Sequence, residues 1–288
     1  MIKIVKNKRN EAVLLLIFSS ILWSLGGVFI KLVQWNPIAI AGMRSLISTI
    51  FIVSVVRKVK LDFSKDMILG ALAYTATVIL FVSATKLTTS ANAIMLQYTA
   101  PIFVAFLSYV ILEEEIEKVD WITIVVVFFG MILFFVGKLE TKNLLGNLFA
   151  ILSGITFALI AIYMRKQKDK SPIESIILGN IITAIVSIPF MLQSMPSKMS
   201  WLGLLLLGTI QLGLPYILYS KAIKSVTAIE AVLIPVIEPL LNPVWTFIVL
   251  NERPGIWAII GGFIVLMAIT LNQVYKLKMK NKETEVAV

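Results

Sequence analysis

Three ionisable side chains, Arg44, Glu230 and Glu238, stand well inside long apolar stretches of this 288-residue chain. A charge in such surroundings is costly and faces a cavity or a partner, so each is a candidate for binding chemistry. A guanidinium suits a carboxylate. A carboxylate takes an ammonium or a proton. Gln97 and Gln211 are amides at mid-span that need hydrogen-bond partners. Tyr98 and Trp23 offer an aromatic wall with a polar tip. Glu238 and Asn242, four residues apart, share one helix face. Pro235, Pro239 and Pro243 recur every four residues on one side of the same helix, and Pro101 follows Gln97 and Tyr98. Each proline removes a backbone hydrogen bond, and a carbonyl freed at membrane depth is tolerated only against protein or a wet cavity. These four prolines read as a hinge beside a binding site, with a plain packing kink as the competing reading.

The absent residues are as informative. The chain has no histidine and no cysteine. Zinc and copper sites of the usual N/S type therefore lack ligands, and any proton coupling has to use carboxylates. No P-loop, HExxH or glycine-rich strand-to-helix turn is present. No catalytic residue, metal site or cofactor is expected, and the chain does not read as an enzyme.

The elements that carry these residues follow from composition. Hydrophobic residues make up 59% of the chain and charged residues 15%, against about 45–50% and about 25% in soluble domains. That excludes a soluble enzyme, a disordered chain and a disulfide scaffold. A helix needs about 20 apolar residues to cross a bilayer. Ten stretches qualify: 11–34, 37–56, 67–85, 90–112, 119–137, 143–164, 172–192, 201–220, 226–250 and 256–275. Placing the N-terminus in the cytoplasm puts nineteen of the twenty-six Lys and Arg residues on the inner side and six on the outer. This positive-inside bias predicts cytoplasmic N- and C-termini and an even number of spans. It also assigns the net charge of +10 to the membrane surface, not to nucleic acid.

The chain matches itself. At an offset of 138, Gly70 meets Gly208, Phe81 meets Tyr219, Lys86 meets Lys224, Pro101 meets Pro239 and Glu114 meets Glu252. Near the start of each half the offset is 134 to 135, which pairs Trp23 with Phe157, Lys31 with Arg165 and Pro37 with Pro172. The expected fold is an all-α membrane protein of ten transmembrane helices in two five-helix repeats, 1–140 and 141–288. Because five is odd, the second repeat enters from the opposite side, and inverted repeats are characteristic of secondary transporters. By helix rise Arg44 lies about 10 Å and Glu238 about 12 Å from the outer surface. The two can serve a substrate carboxylate and a substrate ammonium or proton, or act structurally. Glu230 is nearer the cytoplasmic interface, where it can snorkel into headgroups.

The residues resemble those of the drug/metabolite transporter superfamily, and within it the EamA-type ten-helix transporters. The resemblance rests on Ile21-Leu22-Trp23-Ser24, with Ser24 where glycine is usual, and on Pro37 followed by Arg44. It rests also on Ser90-Ala91 through Pro101 to Leu112-Glu113-Glu114, and on Glu238-Pro239-Leu240-Leu241-Asn242-Pro243 through Leu250-Asn251-Glu252. It implies a central cavity lined by helices 1, 3, 4, 6, 8 and 9, with helices 5 and 10 peripheral, and it favours amino acids or related compounds. The expectation is an exporter or facilitator of small metabolites in the cell (inner) membrane, working by alternating access as a monomer or homodimer. Its site residues would be Glu238, Asn242, Gln97, Tyr98, Trp23, Gln211 and Arg44. Proton-coupled efflux of lipophilic cations and a non-transporting scaffold or receptor are the alternatives.

Overall fold

Asn36 and Pro37 begin a helix as local chemistry dictates. The Asn36 carboxamide oxygen accepts from the backbone N–H groups of Ile38 (2.9 Å) and Ala39 (3.4 Å), and Pro37 occupies the first turn, where no N–H is needed. A computed structural model describes residues 2–134, 136, 143–250 and 255–286. Every regular element among them is helical. In order these are α1 (Ile2–Trp23), α2 (Gly26–Leu32), α3 (Pro37–Val56), α4 (Lys65–Leu87), α5 (Ser90–Gln97), α6 (Ala100–Leu112) and α7 (Lys118–Phe134). After them come α8 (Leu144–Lys166), α9 (Ile173–Met191), α10 (Lys198–Leu206), α11 (Leu214–Ala222), α12 (Ala228–Leu233), α13 (Ile237–Leu250) and α14 (Ile256–Val286).

Several expected spans are single helices; others are broken. The first divides at Ser24 and Leu25, and the fourth at Tyr98 and Thr99. A π-helical stretch, Leu207–Gly213, joins α10 to α11, and a 3₁₀ turn, Ile234–Val236, joins α12 to α13. Among the described residues eight helical segments are long and apolar enough to cross a membrane. Two of the ten expected spans fall outside that number: α7, with 17 residues, and the broken α12–α13.

Packing places α4 against α8 and α9, α3 against α9, α1 against α11, and α7 against α14 on the periphery. Close approach depends on small residues. A Cβ on Gly154 of α8 would stand 2.6 Å from the Gln97 carbonyl, the carbonyl that Pro101 leaves without a helical N–H partner. Gly261 of α14 likewise lies against the Gly130 carbonyl of α7. Ile122, Val125 and Phe129 of α7 and Ile259 and Phe263 of α14 are exposed, which suits a lipid-facing pair.

Three charged residues take positions that the sequence reading did not anticipate. Glu230 does not snorkel. It is buried, pairs with Arg9 of α1, and closes a capping box with Thr227 at the start of α12. Arg9 also donates to Gln273 of α14 at 2.7 Å, so this ion pair joins three helices. Asp120 is buried between α7 and α14 and accepts from Lys276 (2.9 Å) and Asn272 (3.0 Å).

Candidate functional site

One cavity collects most of the residues singled out from the sequence. Trp23, Arg44, Thr77, Val78, Phe81, Gln97, Tyr98, Phe157, Gln211, Leu212, Tyr216 and Glu238 line it, and it leaves about 50 Å³ open to a water-sized sphere. Both halves contribute, and spans 1, 2, 3, 4, 6, 8 and 9 all reach it. Asn242 and Pro243 stand in α13, but their side chains lie outside the described residues.

At the centre are aromatic rings that the self-match relates to one another. Trp23 and Phe157 meet edge to face with centroids 6.0 Å apart, and Trp23 also meets Tyr216 at 5.2 Å and Tyr219 at 5.4 Å. Such pairs contribute about 0.5–1.5 kcal/mol beyond area burial. They form a rigid wall.

Arg44 is 2% exposed. Its Nη1 donates to Gln211 Oε1 at 3.2 Å, and its Nε, also buried, has no hydrogen-bond partner. No Asp or Glu oxygen among the described residues forms an ion pair with it. A buried guanidinium without a counter-charge costs several kcal/mol, so this group is set up to receive an anion. The π-helical stretch holds Gln211 in place. Its Nε2 donates to the Trp23 carbonyl at 3.4 Å, and Gly26 leaves the space, since a Cβ there would stand 2.6 Å from that nitrogen. π-Helical stretches are frequent at functional sites.

Glu238 faces the same cavity and is also buried. Tyr98 Oη lies 2.6 Å from Glu238 Oε2 and 2.7 Å from the Pro235 carbonyl. That carbonyl lacks the N–H donor four residues on, because residue 239 is a proline, and takes a main-chain bond from Ile237 N–H instead. Tyr98 of the first half therefore fills the gap that Pro239 opens in the second. One phenolic proton cannot serve both acceptors fully, which leaves the Glu238 carboxyl short of donors. The prolines fall into two groups here: Pro235 lies in the 3₁₀ turn, whereas Pro239 and Pro243 sit inside α13 and Pro101 starts α6.

The sequence reading missed Thr77, Val78, Phe81 and Leu212 as cavity residues. Only Thr77 gave a signal, as a hydroxyl at mid-span, and it bonds Thr156 Oγ1 at 2.7 Å. Ser24, which stands where the resemblance leads one to expect glycine, accepts from Trp245 Nε1 at 2.8 Å and ties the end of α1 to α13.

Comparison with known proteins adds the class. The model of the "EamA-like transporter family" matches residues 10–136 and again residues 144–273. An uncharacterized transporter of Archaeoglobus fulgidus is 26% identical over 196 residues, which cover 68% of this chain and 71% of that protein. An S-adenosylmethionine uptake transporter of Rickettsia prowazekii is 28% identical over 191 residues, covering 65% of this chain and 64% of that protein. A crystal structure superposes with a TM-score of 0.80 at 15% identity, over 94% of this chain and 99% of the other, a likeness of fold. The protein is thus a multi-pass membrane transporter of small molecules, not an enzyme, and it belongs to the EamA-like transporter family.

Proposed function

We propose that the protein is an exporter or facilitator of zwitterionic metabolites, amino acids or related compounds, working by alternating access in the cell (inner) membrane. In this reading ten spans form two inverted repeats, 1–140 and 141–288, with both termini cytoplasmic. The two separate family matches and the bias of basic residues support it. The observation that carries it is the pairing inside one cavity of an unmatched guanidinium, Arg44, with an under-donated carboxyl, Glu238. A substrate carboxylate on Arg44 and a substrate ammonium on Glu238 would satisfy both. Gln97, Gln211 and Asn242 would supply further hydrogen bonds, and Trp23 and Tyr98 the wall. Pro101, Pro235, Pro239 and Pro243 would be the hinge. S-Adenosylmethionine, for which the Rickettsia relative is named, bears the same α-amino-acid head.

A ligand that binds the folded state raises its apparent stability. Thermal unfolding of the purified protein should therefore shift upward with a zwitterion, from a panel of amino acids and S-adenosylmethionine. A shift with tetraphenylphosphonium alone would overturn the zwitterion reading in favour of lipophilic-cation efflux at Glu238.

A further inference from the structure

Arg165 stands in the last turn of α8, eight residues beyond Phe157 and so about 12 Å from the aromatic centre along the helix. Its Nε donates to Glu114 Oε1 at 2.8 Å, and its Nη1 donates to the carbonyls of Ile223 and Lys224, both at 3.1 Å. The other oxygen of Glu114 accepts from the backbone N–H of Ala228 at 3.1 Å. Glu113, in the left-handed conformation with φ 56°, ends α6 just before Glu114. Glu114 belongs to the first half, Arg165 and Ala228 to the second. The side chains of Arg165 and Glu114 are only 14% and 22% exposed, so this is not a solvated surface pair.

The cations at this end have counterparts in the first half. Lys31, the counterpart of Arg165, donates to the Thr88 carbonyl at 3.0 Å, and Lys86, the counterpart of Lys224, donates to the Val33 carbonyl at 2.6 Å. On the Arg165 side Lys224 donates to the Lys170 carbonyl, also at 2.6 Å. Each half therefore crosses the same two cations onto main-chain carbonyls at the end of its first and third spans. Arg165 also reaches a carboxylate of the other half, Glu114; Glu252, which the self-match pairs with Glu114, lies outside the described residues.

We infer that Glu114, bridging Arg165 and the Ala228 N–H, is a gating residue: it latches the two halves on the basic face and keeps the cavity closed from that side. The latch rests on the alternating-access reading. Opening toward the basic face has to break the two contacts that cross between the halves, the Arg165–Glu114 ion pair and the Ala228 N–H bond to Glu114, and the groups reform when the halves return.

The chain's lack of cysteine supplies a clean test. A single reporter, Thr77→Cys, or Val78→Cys should the first fold poorly, is placed on the cavity wall. Labelling by a membrane-impermeant maleimide is then timed in right-side-out and inverted vesicles. Adding Glu114→Gln should raise the rate about tenfold from the face that carries Arg165 and leave the other face unchanged. Lys31→Met should raise it from the opposite face only. Equal acceleration from both faces would mean general loosening and would overturn the gate, as would no acceleration from either. The labelling needs no substrate, so it can fail while the transport reading stands, or succeed while no flux is found.

Discussion

Tyr98 is the residue on which the described site turns, because it donates to a carbonyl that a proline has left open and to the one carboxyl in the cavity. Removing its hydroxyl takes from the buried Glu238 carboxyl the donor it has here, at a cost of about 1–3 kcal/mol. Tyr98→Phe should lower the stability of the detergent-solubilised protein by that amount in a denaturant titration; an unchanged midpoint would contradict the bond. Glu238→Gln keeps the shape and an acceptor for Tyr98, so its melting temperature should stay near that of the parent while any ligand-induced shift disappears. Retention of the full shift would remove Glu238 from the site. At this scale the sequence was informative where burial forbids indifference. Charged and amide groups in apolar spans are few, so Arg44, Glu238, Gln97 and Gln211 could be picked out and do line one cavity. Glu230 was misread because its partner, Arg9, lies 221 residues away, and no local pattern predicts a pairing at that distance.

Broken helices and glycine contacts decide the geometry among elements. Pro239→Ala would return an N–H to the Pro235 carbonyl and release Tyr98 from it. Hydrogen exchange over α12 and the start of α13 should slow in this variant, and transport should slow with it. Exchange no slower than in the parent would show that the proline does not hold the break open. Gly154→Ala would press a methyl group onto the Gln97 carbonyl, and overpacking of this kind costs about 1–3 kcal/mol. Gly255→Ala, with no atom within 4 Å, is the silent control. Equal melting temperatures for the two variants would contradict the close α8–α5 contact. The proline break of helix 9 was legible, since proline acts through local covalent geometry. The π-helical stretch at Leu207–Gly213 was not, because one extra residue in a turn leaves no mark on the residue types of the segment.

For the whole molecule, the two family matches and the crossed lysine contacts at opposite ends of the repeats describe a chain made of two like halves. The apolar share of the sequence made its membrane setting plain, and eight described helical segments suit it. Which faces meet was hidden, because in a bilayer lipid-facing and protein-facing residues are alike apolar. Orientation can be read directly. Single cysteines at Lys60 and at Ser194 should react with an impermeant reagent from opposite sides, the first from the cytoplasm, and reaction from one common side would contradict the inverted arrangement. The central claim is that Arg44 and Glu238 together receive the two charges of a zwitterion. It is tested most directly by counterflow of labelled amino acids and S-adenosylmethionine into proteoliposomes of the parent, Arg44→Gln and Glu238→Gln. Saturable exchange of at least one zwitterion, lost in both variants, is the predicted result; no saturable exchange for any compound, or exchange indifferent to both substitutions, would contradict it.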